Sequence, residues 1–187
     1  MALTTQQSKQ IKDYLVEKVR QKLAAYNPET NSMPFHFRLL GKNRMALFSF
    51  IQSVNTMLGT SIFEQVGKMI AEPRANRAIG QYKEFEGFIS SEAVLEIDRI
   101  MRDLRSASRK PDKEKETKEI LAVANKGDLG KNLKKRVDLF MEMKDGTEYY
   151  FEVKTAKPNI NEFTSIKKQM LDWIAMRGSE KPKANIK

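Results

Sequence analysis

Residues 136–155 read Arg-Val-Asp-Leu-Phe-Met-Glu-Met-Lys-Asp-Gly-Thr-Glu-Tyr-Tyr-Phe-Glu-Val-Lys-Thr, two alternating stretches about a tight turn. Lys144-Asp145-Gly146 suits a three-residue hairpin loop, a type I turn closed by a left-handed glycine. That loop sets Met143 opposite Thr147 and, counting outward, Asp138 directly opposite Glu152. Side chains of one parity share a face of a sheet. The odd face (Val137, Leu139, Met141, Met143, Tyr149, Phe151, Val153) is almost wholly apolar and is expected to be the buried one. The even face carries Asp138, Glu152 and Lys154 together with Arg136, Phe140, Glu142, Glu148 and Tyr150. A slip of one residue would exchange the two faces, so the register is strongly specified.

Two readings of the even face stand at this point. A half-exposed hairpin commonly carries cross-strand ion pairs on its solvated side. Against that, Asp138 opposite Glu152 is a like-charge pair, which destabilises a sheet unless a cation lies between the carboxylates. Two acids beside a lysine can hold a divalent metal next to a positive charge, the equipment phosphodiester hydrolysis needs.

Val137-Asp138 on one strand, then Glu152-Val153-Lys154 on the next with a helix to follow, resembles the PD-(D/E)xK nuclease superfamily. The run Glu-Val-Lys-Thr-Ala-Lys-Pro-Asn at 152–159 is similar to type II restriction endonucleases, in particular the group cutting GGNCC-like palindromes. The resemblance covers about residues 130–178, and Val137 stands where many members have proline. It implies an α+β fold with a helical N-terminal region, then a mixed sheet flanked by helices. It also implies a double-stranded DNA substrate and a Mg²⁺ cofactor held by Asp138, Glu152 and the carbonyl of Val153, with Lys154 orienting the attacking water. A homodimer is expected, because cutting both strands of a palindrome calls for two related sites. Members often add an acid from a helix before the sheet, a part Glu96 or Glu119 could play. The alternatives are a repair or junction nuclease of the same superfamily, or a catalytically silent DNA-binding module.

Composition bounds these readings. The chain has 187 residues, no cysteine and a single histidine, His36, which excludes disulfide frameworks, Cys- or His-rich zinc sites and histidine-centred nucleases. No signal peptide or membrane-length apolar run is visible, so a cytoplasmic location is expected. The net charge is +10, and residues 126–187 hold 14 basic and 9 acidic residues, a denser excess than in the first 125. Such a balance favours a polyanionic partner. Lys134, Lys135, Arg136, Lys157, Asn159, Lys167 and Lys168 are the candidate DNA contacts, close in sequence to the acids.

Upstream, residues 1–89 are read as a helical region for dimerisation or DNA wrapping, and 90–187 as the nuclease core. Helices are expected over Thr5–Ala25, over Arg44–Leu58 closed by Gly59, and over Ser61–Glu72 before Pro73. Further helices are expected from Ser90-Ser91 to about Ala107 and over Asp112–Ala124, the last charge-rich and exposed. The helix after Asn159 or Asn161 should bury Phe163, Ile166, Met170, Trp173 and Ile174 and end at Gly178. The family core needs one more strand. Ala184-Asn185-Ile186 could begin it but not complete it, so the sequence is expected to be a fragment.

Overall fold

The computed structural model describes residues 2–27, 34–130 and 132–187. They form two compact units, Met1–Pro73 and Arg74–Lys187. The first unit is helical. α1 (Thr5–Ala24) starts at a capping box in which Thr4 and Gln7 satisfy each other's backbone amides. α2 (Pro34–Met57) is interrupted at Gly41, whose φ of 74° leaves the helical region. The chain does not stop at Gly59: a π-helical turn, Leu58–Ile62, leads straight into α3 (Phe63–Ala71). Glycine weakens a helix without terminating it where the flanking apolar residues keep it packed.

The second unit holds the sheet. Among the described residues its strand order is β1 (Ala75–Gly87), β2 (Leu133–Met143), β3 (Glu148–Phe151), all antiparallel. β1 lies inside the stretch read as helical, so the helical part ends at Pro73 and not at residue 89. No period-2 pattern marks this strand. Gln81 has a positive φ of 53°, and the register shifts between Tyr82 and Phe85. Each irregularity rotates the following side chains, so Ile79, Tyr82 and Phe85 reach the core at intervals of three.

The β2–β3 hairpin has the expected register. Leu139 pairs with Phe151, Phe140 with Tyr150 and Met141 with Tyr149. The turn closes with the Gly146 amide donating to Met143 at 2.9 Å, Gly146 at φ 78° and the Met143 amide donating to Thr147 at 2.8 Å. The assignment of faces is corrected. Val137, Asp138, Leu139 and Phe140 are buried consecutively, as befits a central strand covered on both sides. The even-face rings of Phe140 and Tyr150 lie 5.1 Å apart, and Tyr150 lies 6.4 Å from Trp173. The odd-face Phe151 is instead exposed. The helical layer therefore covers the face that carries the acids. Burying side chains the size of Phe140 and Trp173 stabilises by roughly 1.5–3 kcal/mol each.

That layer is α4 (Ser91–Arg105), α5 (Lys113–Leu121) and α6 (Ile160–Glu180). Ser90 caps α4, its hydroxyl accepting the Ala93 amide at 3.2 Å, and Asp112 caps α5. α5 is not a solvated helix: Glu116 and Ile120 are buried. α6 runs past Gly178, which packs against the end of α5 with no room for a side chain. A Cβ on Gly178 would sit 2.7 Å from the Ala124 Cβ. Its first turns project outward, leaving Phe163 58% exposed, contrary to the expected buried face. Beyond α6 the final residues lie parallel to β3. The Glu148 amide donates to Asn185 and the Lys187 amide to Glu148, both at 2.8 Å, around a parallel bridge between Glu148 and Ile186.

Candidate active site

The hairpin register fixes what meets at its open end. Asp138 sits on β2 with 8% of its surface exposed. Glu152, Val153 and Lys154 follow β3 immediately, one residue past its last ladder position. One Asp138 oxygen accepts the Val153 amide at 2.9 Å, and the other lies 3.4 Å from the Arg136 guanidinium. The hydrogen bond closes the strand pair beyond Phe151 and anchors the Glu-Val-Lys segment against the acid.

Glu152 is held from two directions. The Lys154 ammonium donates to its Oε1 at 2.6 Å, and the Gln169 amide of α6 donates to its Oε2 at 3.2 Å. The Glu152 hydrogen bond, and the charges of Glu152, Asp138 and Glu162, hold Lys154 above the ordinary lysine range, against the opposing effect of partial burial. Glu162 and Gln169 escaped the sequence reading. Their signal was helical spacing, since residues 162, 166 and 169 share one face of α6. Glu96 and Glu119 are engaged elsewhere: Glu96 pairs with Arg99 at 2.5 Å, and Glu119 pairs with Arg109 at 3.0 Å. The helical carboxylate felt at Lys154 is that of Glu162.

The basic candidates fall into distinct settings. Lys134 pairs with Glu86 at 2.9 Å, and Lys135 lies 3.6 Å from Asp172. Lys168 pairs with the same Asp172 at 3.1 Å. Lys157 is exposed in the segment between β3 and α6, and Asn159 caps α6 by accepting the Glu162 amide at 3.0 Å. Lys167 differs: it is ion-paired with buried Glu116, which also accepts the Asp112 amide at 3.1 Å. That lysine joins α5 to α6.

The family described as type II restriction endonuclease, HinfI, matches residues 3–187. The chain belongs to the HinfI family. Similar proteins include the type II restriction enzyme HgiCII of Herpetosiphon aurantiacus, 27% identical over 157 residues, or 83% of this chain and 56% of that enzyme. The type II restriction enzyme MjaII of Methanocaldococcus jannaschii is 28% identical over 171 residues, 83% of this chain and 44% of that enzyme. HgiEI, also of Herpetosiphon aurantiacus, is 25% identical over 191 residues, 91% of this chain and 69% of that enzyme. The chain thus spans about half the length of the first two. No solved structure matches it.

Membership of the HinfI family suggests a divalent metal cofactor. The donor set suits a hard cation: two carboxylates, no sulfur and no imidazole. Among the described residues no group of three or more His, Cys, Asp or Glu could hold a metal ion. A cation at Asp138 and Glu152 would therefore complete its shell with water, carbonyl or phosphate oxygens, the habit of Mg²⁺ rather than of an all-protein cage. No described helix is long and apolar enough to cross a membrane.

Proposed function

We propose that this chain carries the catalytic core of a Mg²⁺-dependent, cytoplasmic type II restriction endonuclease. It would hydrolyse double-stranded DNA at a GGNCC-like palindrome as a homodimer. The observation that carries the reading is the meeting of Asp138, Glu152 and Lys154 at the open end of the β2–β3 hairpin, with the Lys154 ammonium 2.6 Å from Glu152. A metal held by Asp138, Glu152 and the Val153 carbonyl would acidify a bound water and offset charge growing on the phosphate.

The protein's own residues account for the remainder. Asp138 keeps the Val153 backbone in place through its 2.9 Å hydrogen bond, so the site is assembled before DNA arrives. Lys154 remains protonated at neutral pH, its pKa being raised. It can therefore orient the attacking water and donate to the oxygen on which charge develops. Lys134, Lys135, Arg136, Lys157, Asn159 and Lys168 would meet backbone phosphates, which position the duplex without reading its sequence. The helical unit, Met1–Pro73, would serve dimerisation or wrap the DNA.

Incubating the full-length protein with mixed-sequence plasmid in Mg²⁺ or EDTA tests this. Discrete fragments that require Mg²⁺ are expected, and sequencing their ends would give the palindrome. DNA that is retarded but never cut would favour a silent binding module.

A further inference from the structure

Two lysines from different elements converge on one buried acid. Asp172, on α6, is buried, and only 10% of its side chain is exposed. One of its oxygens takes Lys168, a turn earlier on the same helix, at 3.1 Å. The other lies 3.6 Å from Lys135 of β2. The lysine side chains themselves remain 51% and 35% exposed. The three line a hollow of about 330 Å³ whose wall includes Ile97 and Leu133.

The arrangement has a definite sign. Two ammonium groups against one carboxylate leave a net charge of +1, and the buried partner of that group is the anion. Asp172 lines the hollow too, but the two ammoniums outnumber it and are the more exposed groups. An apolar wall lowers the local dielectric and strengthens what the ammoniums offer. An ordinary surface ion pair would be a mutual quenching of two exposed charges. Here one acid holds two cations at a fixed spacing and leaves one charge uncompensated.

We propose that Lys135 and Lys168, held together by Asp172, form a clamp for one DNA backbone phosphate flanking the scissile bond. This rests on the nuclease reading. Lys135 precedes Asp138 by three residues on β2, roughly 10 Å at 3.3 Å per residue. That is about three nucleotide steps at 3.4 Å of rise per strand. Lys168 neighbours Gln169, the residue that steadies Glu152. On that spacing the clamp would take a phosphate a few nucleotide steps from the cut, with Asp172 as a positioning residue for it.

The test is the salt dependence of duplex binding by the full-length protein, with Ca²⁺ in place of Mg²⁺ so that DNA stays uncut. Lys135→Ala and Lys168→Ala should each reduce the slope of log K against log salt by about 0.9, the loss of one phosphate contact. Asp172→Asn separates positioning from charge. Counting charges, it leaves a net +2 and should tighten binding with a steeper slope. The clamp predicts weaker binding and no steeper slope, because the two ammoniums repel once the shared anion is gone. An unchanged slope in either lysine variant, or tighter binding by Asp172→Asn, overturns the proposal. Because Asp172 is buried, its variant is read only if its thermal melt is cooperative; otherwise the two lysine variants decide. Failure of the unsubstituted protein to bind or cut DNA would instead sink the nuclease reading.

Discussion

At the Glu152 carboxylate two donors arrive from opposite sides, Lys154 from the adjoining chain and Gln169 from α6. The Lys154 ammonium is a counter-ion of Glu152, so a metal held by that carboxylate would share it or displace the lysine. Lys154→Met should therefore bind Ca²⁺ at least as tightly as the unsubstituted protein, measured by calorimetry. Its Mg²⁺-supported cutting should fall by about 10²-fold or more, the scale of losing one donor to a developing oxyanion. Weaker Ca²⁺ binding would show that the lysine supports the ligand instead of competing with it. Gln169→Leu removes the second donor without touching the charge. The expected result is a raised Mg²⁺ concentration for half-maximal cutting, recovered by excess Mg²⁺.

Among the elements, α6 does the most positioning, and its last turns are where stability can be probed. Glu148 of β3 is buried and receives Arg177 twice, at 2.6 and 2.7 Å. Burial alone would push its carboxyl up, but hydrogen bonds from Arg177 and Tyr150 outweigh this and hold it below the ordinary range. A carboxyl depressed in the folded state stabilises above its unfolded value, about 4.3, and that contribution is lost as pH falls through the folded value. Glu148→Gln should thus flatten the acid limb of the stability profile below about pH 4.3, read by denaturant melts across pH. Arg177→Ala leaves the buried acid without its main partner and should cost about 3–5 kcal/mol. Gly178→Ala would drive a methyl group into Ala124 and should cost about 1–3 kcal/mol in the same melts. The β2–β3 register was legible in the sequence because turn chemistry and alternation agree there. β1 was not, because its irregularities at Gln81 and between Tyr82 and Phe85 erase the period that marks a strand. The reading of which hairpin face is buried also failed. Phe140 and Tyr150 belong by parity to the face with the acids, yet α6 brings Trp173 against Tyr150, which packs on Phe140.

Across the whole molecule the charge is +10, and the acids are not spread evenly through it. Several are spent inside the fold on basic partners, as in Glu116 with Lys167 and Glu148 with Arg177, which sequence counting cannot distinguish from solvated charges. The β2–β3 register was legible in the sequence, and past Phe151 the Asp138 carboxylate takes up the Val153 amide beside Glu152. Glu162 and Gln169 needed the orientation of α6, which no local pattern fixes. The proposed function requires Asp138, Glu152 and Lys154 to act as one catalytic unit. Its most direct test is Mg²⁺-dependent plasmid cleavage by Asp138→Asn, Glu152→Gln and Lys154→Met, with Ca²⁺-supported DNA binding measured alongside. All three should lose cutting while retaining DNA binding, and a variant that cuts at the unsubstituted rate would contradict a shared catalytic role.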